Sequence, residues 1–113
     1  MKSFLLAGII GFWATGVLAH SAIDETTPAN EAILTEAPSE IVLNFLHDIR
    51  LTRVRMVHAD NPAVDLDLSA YKGMAIDFTV PMQPMGSGNY SIDWRGLGVD
   101  GHAMTGSFSF AVE

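Results

Sequence analysis

Apolar and polar residues alternate along most of the chain beyond residue 40, and helical period is scarce. In Ile41-Val42-Leu43-Asn44-Phe45-Leu46-His47 the odd positions share one strand face, which puts His47 at the end of a core-facing stripe. Val54 and Met56 then alternate with Arg53 and Arg55, and His58-Ala59-Asp60-Asn61-Pro62 reads as a turn with a solvated His58. Val64–Leu68 and Met74–Val80 alternate again, and Pro81, Pro84 and Gly86-Ser87-Gly88-Asn89 mark an irregular connection. Tyr90, Ile92 and Trp94 form the apolar side of the next strand. The last has Met104, Gly106, Phe108, Phe110 and Val112 on one face and Ser107 and Ser109 on the other. Thr26–Ala37, with Pro28 and few β-branched residues, reads as a loop or helical turn between the first two strands.

About seven short strands separated by turn signals predict an all-β domain, a small antiparallel Greek-key β-barrel or sandwich of Ig-like type. Half-polar strands favour antiparallel pairing, because strands of a parallel sheet are buried on both faces and read as continuous apolar runs.

Residues 1–19, MKSFLLAGIIGFWATGVLA, break the pattern. Lys2 precedes an apolar stretch that ends at Val17-Leu18-Ala19, the form of a cleaved export signal. A membrane-anchor helix is the alternative, but the stretch is short of the roughly 20 residues that span a bilayer. Read as a signal, residues 1–19 leave a domain of residues 20–113 in the periplasm, with His20 at its N-terminus. The segment contains Lys2 and no acidic residue, so the formal charge of the remainder goes from −7 to −8.

The 113 residues include no cysteine, which removes disulfides, thiolate metal centres and thiol nucleophiles. With 13 Asp and Glu against 6 Lys and Arg, a nucleic-acid partner is not expected, since Arg50, Arg53 and Arg55 are the only basic cluster. Metal chemistry then rests on His, carboxylate, Met or backbone. An N-terminal His20 would offer its α-amine and ring Nδ1 in one chelate, donors that suit Cu(II). Asp100-Gly101-His102 places a carboxylate and an imidazole two residues apart, able to converge on one ion or to form a polar turn. His47 reads equally as a ligand or as an edge-of-core histidine. Met82 and Met85 are a candidate thioether pair, whereas Met56 and Met104 fit the core. Nucleophile-elbow, zincin and phosphate-loop motifs are absent from the sequence.

The chain resembles the CopC family of exported bacterial copper-binding proteins. The likeness rests on His20 after the signal, Thr27-Pro28-Ala29, Ala37-Pro38 before the Ile41–Phe45 strand, and Gly88–Arg95 continuing through Asp100–Phe110. It implies a Cu(II) site at His20, Asp100 and His102. His47 falls where some members carry a glutamate ligand, so it would be a third imidazole or the contact would be lost. The scattered Met residues give little basis for a separate Cu(I) site.

Three functions follow as expectations. The first is a monomeric, non-enzymatic periplasmic carrier that binds one copper ion for buffering, transport or resistance. Its partners would be an inner-membrane CopD-like transporter or a periplasmic copper oxidase. The second is a mononuclear copper oxidase or monooxygenase using the same residues, and the third a metal-free adhesive domain.

Overall fold

The computed structural model describes residues 22–113, and these form strands without a helix. The strands are β1 (Ile23–Thr27), β2 (Ala32–Leu34), β3 (Glu40–His58), β4 (Val64–Asp65), β5 (Ala75–Pro81), β6 (Gly88–Gly98) and β7 (Ala103–Val112). The 19-residue β3 organises the rest. Its first half pairs with β1 on one edge and β5 on the other. Its second half pairs with β6 on the edge that β1 has left and with β4 opposite. β6 then pairs antiparallel with β7.

β3 reaches both arms of the sheet because its inward face changes parity. Ile41, Leu43, Phe45, Ile49 and Leu51 are buried at odd positions; a bulge between Leu51 and Arg53 shifts the register, and Val54, Met56 and His58 are buried at even ones. An inserted residue bends a strand and increases its twist, so the two halves face a common core from different directions. Phe45 spans that core: its ring meets Phe78 of β5 at 5.7 Å and Trp94 of β6 at 4.9 Å, both edge-on. Each fully buried large apolar side chain contributes about 1.5–3 kcal/mol.

Two sequence expectations are corrected. Ala32–Leu34, expected in a loop or helical turn, is a short strand paired in parallel with Phe110–Val112, so the sheet is mixed. Its partner supplies the backbone bonds that its own weak strand propensity does not. Of Val64–Leu68, only Val64 and Asp65 join the sheet.

His58 is also not a solvated turn residue. It ends β3 at 8% exposure and packs on Tyr90 at 4.5 Å. Its Nε2–H donates to Ser87 O at 2.7 Å, and Nδ1 accepts from Asn61 Nδ2 at 3.2 Å, a partner set that assigns the tautomer. Tyr90 OH donates to Gly86 O and accepts from Met85 N–H. The two rings thereby anchor the Met82–Gly88 connection. Met82 enters the core and Met85 is exposed, which separates the expected thioether pair.

Gly106 of β7 lies opposite Trp94, and a Cβ there would sit 2.6–2.7 Å from three indole ring atoms. Gly106→Ala is expected to lower stability by about 1–3 kcal/mol in urea denaturation, through overpacking. Gly73→Ala, where no atom lies within 4 Å, should stay within about 0.5 kcal/mol.

Candidate metal centre at the β6–β7 hairpin

Asp100, Gly101 and His102 form the tip of the hairpin between β6 and β7. Gly98 N–H donates to His102 O at 3.0 Å and Gly101 N–H to Gly98 O at 2.9 Å, closing the turn. Gly101 has φ +82°, a conformation that costs glycine little and other residues more. The Asp100 carboxylate holds the loop from inside. Oδ1 accepts from His102 N–H at 3.0 Å, and Oδ2 lies 2.8 Å from His102 Nδ1.

The carboxylate and imidazole therefore converge, but on each other and in a turn rather than along an extended strand. The Nδ1 contact leaves Nε2 of His102 as the outward ring nitrogen. A carboxylate on one imidazole nitrogen that fixes the other for a metal is a recurring arrangement in metal sites. The signal for it was in the sequence, since Asp followed by Gly favours a side-chain-closed turn.

His47 is exposed instead of core-facing, because Leu46, His47 and Asp48 form the stretch where β3 passes from β1 to β6. It lies two residues before Ile49, which pairs with Gly98, and Asp100 lies two residues beyond Gly98. His47 and the hairpin tip thus leave the last ladder pair at the same end of the sheet. His20 lies outside the described residues. The first described residue, Ala22, accepts a hydrogen bond from Leu46 N–H at 3.1 Å, next to His47. Among the described residues no group of three or more His, Asp or Glu side chains is gathered as a metal site.

The pair is electrostatically coupled. The hydrogen bond from His102 and its charge hold the Asp100 carboxyl below the usual carboxylate range, and the Asp100 hydrogen bond and charge raise His102 above its ordinary value. Both side chains are exposed, at 63% and 84%, so salt screens the interaction. For His102 the raised value means that the stabilisation is full below the unfolded pKa near 6.5 and is lost as pH rises through the folded value. For Asp100 it is present above the unfolded value of 3.8 and lost as pH falls through the lowered one. In metal-free protein, an NMR titration should give His102 an apparent pKa above 6.5 that returns toward it in Asp100→Asn and at high salt. An unchanged value in Asp100→Asn would contradict the pairing.

Comparison with known proteins fits this arrangement of strands. The CopC domain model matches residues 23–113. Copper resistance protein C of Escherichia coli is 29% identical over 125 residues, covering 99% of this chain and 96% of the relative. Copper resistance protein C of Pseudomonas syringae pv. tomato is 28% identical, over 84% of this chain and 82% of its own length. Among solved structures, CopC from Methylosinus trichosporium OB3b superposes with a TM-score of 0.68 at 20% identity, covering 83% of this chain and 94% of that one. PcoC from Escherichia coli gives 0.55 at 22% identity, covering 80% and 98%. At those identities the structures support the fold alone, whereas the domain match spans the whole described sheet. The chain belongs to the CopC family.

Proposed function

We propose that the protein is a periplasmic copper carrier that binds one Cu(II) at the β6–β7 end of the sheet, after removal of residues 1–19. The observation that carries this reading is the Asp100–His102 pair, held by a closed turn with one imidazole nitrogen directed outward. His20 would add its α-amine and Nδ1. It stands two residues before Ala22, a span of at most about 7 Å from the bond that ties Ala22 to Leu46. His47, in the next position along β3, is the third imidazole of the set.

Nitrogen donors with a carboxylate, and no thiolate, fit Cu(II) better than the softer Cu(I). In the metal-free hairpin Asp100 orients His102. Each Asp100 oxygen accepts one hydrogen bond from His102 and keeps a further lone pair, so the carboxylate could also ligate the ion directly. The acidic surroundings favour approach of a cation.

The copper-resistance names of the relatives and the family match support a copper-related role and not an enzymatic one. Buffering, transport to an inner-membrane CopD-like transporter, and supply of a periplasmic oxidase are the roles such a monomeric carrier would serve. Each uses the same exposed site, open to a partner that takes the ion.

Cu(II) titration of protein beginning at His20, followed by EPR, should give one bound ion per chain. One additional residue ahead of His20 removes the amine from the chelate and should weaken binding by at least about tenfold. His102→Ala should weaken it similarly. Equal affinity in the extended protein would exclude His20 as the anchor, and equal affinity in His102→Ala would exclude the hairpin.

A further inference from the structure

The outer edge of β7 differs from the other strand edges. β7 pairs with β6 along its inner edge, but β2 covers the outer edge only at Phe110–Val112. Ser109 already turns to that outer edge, its N–H donating to Asn30 Oδ1 and its carbonyl accepting from Glu31 N–H. The β6–β7 register runs without a bulge, so Thr105 and Ser107 turn their N–H and C=O groups the same way. Among the described residues no strand receives them.

The edges of β1 and β5 are defended and this one is not. β1 has a bulge between Ile23 and Glu25 and carries Asp24 and Glu25. β5 carries Asp77 and Pro81, and the N–H of its Thr79 is capped by Tyr71 OH at 2.8 Å. Charge, proline and bulges are the usual means of preventing strand addition. Ala103–Val112 contains no Lys, Arg, Asp, Glu or Pro.

The two faces beside this edge differ in chemistry. On the outer face, ladder rows run from Thr105 to Arg95 and Arg53, and from Ser107 to Asp93 and Arg55. Arg53 and Arg95 stand directly opposite each other, a like-charged pair that is unfavourable without an anion. Asp65 offsets Arg53 and Arg55 in part, with Oδ1 3.5 Å from the Nε of each, and does not reach Arg95. An open groove of about 400 Å³ runs over this face. On the inner side, a second groove of about 330 Å³ lies between β7 and β1, lined by Trp94, Gly106 and Phe108 and, from β1, by Asp24 and Glu25, so this side disfavours acidic side chains and the basic face alone favours them.

We propose that the outer edge of β7 at Ala103–Ser107 is a docking site for an extended acidic segment of a partner protein, added as a strand. The partner's alternate side chains would be acidic toward the arginines and apolar toward the Trp94 groove. Main-chain bonds to Thr105 and Ser107 would supply affinity, and the two faces would supply specificity. A second copy of this chain fits less well, since pairing β7 with β7 would set one arginine face beside another. The site adjoins the hairpin that carries Asp100 and His102, so a docked partner would lie next to that tip.

The test uses the metal-free protein, so it stands or fails independently of copper binding. A fluorescent peptide of alternating Val and Glu is titrated by anisotropy at low ionic strength, beside the same peptide with Lys for Glu. The Glu peptide should bind at least about tenfold tighter, and salt should reduce the difference. Arg53→Glu with Arg95→Glu should reverse the preference. Ser107→Pro, which removes one edge N–H, should weaken binding of the Glu peptide by about tenfold. Amide NMR shifts on adding peptide should centre on Thr105 and Ser107. Equal binding of both peptides, shifts centred on another edge, or undiminished binding by a folded Ser107→Pro variant would each overturn the proposal. So would a dimer in sedimentation that Ser107→Pro dissolves.

Discussion

One strand has to serve both arms of this sheet, and most other features follow from how it does so. β3 meets β1 and β5 through its first half and β6 and β4 through its second. Between them, Leu46, His47 and Asp48 leave one partner before Ile49 joins the next. The bulge after Leu51 then restores inward burial for Val54 and Met56. Without the change of parity, every apolar residue of the second half would face solvent, because a one-residue slip exchanges the two faces of a strand. The stretch where partners change also carries His47, one of the candidate metal ligands. His47 is exposed there because the strand is between partners, and the pairing of Ile49 with Gly98 and the bond from Leu46 to Ala22 bring the β6–β7 hairpin and the start of β1 to the same end of the sheet.

Local alternation made the core largely legible. Ile41, Leu43, Phe45, Tyr90, Ile92, Trp94, Phe108, Phe110 and Val112 all face inward as their spacing predicts. Errors occurred where a long-range partner decided the outcome. Ala32–Leu34 is a strand only because Phe110–Val112 lies beside it. His58 is buried because Ser87, Asn61 and Tyr90 close around it, and two of these are about 30 residues distant. His47 matched the parity of the inward stripe, but parity does not reveal that its strand is changing partners there.

At the candidate site, Asp100 and His102 were readable as a pair from their spacing, and the structure adds which atoms meet. The hydrogen bond from Nδ1 leaves Nε2 for a metal, a distinction that residue identities do not contain. The basic face was half visible. Arg53 and Arg55 stood together in sequence, but only the ladder brings Arg95 opposite them and gives the open edge of β7 a polarity. Metal site and edge share a hairpin, so ion binding and partner docking would occur within one element of the fold.

Pulsed EPR of the Cu(II)-loaded protein beginning at His20 probes the copper centre most directly, because the remote nitrogen of each coordinated imidazole modulates the echo. Coordination through His102 Nε2 predicts a modulation from its Nδ1 that disappears in His102→Ala and shifts in Asp100→Asn. A modulation pattern unchanged in His102→Ala would show that copper binds elsewhere and would contradict a centre at the β6–β7 hairpin.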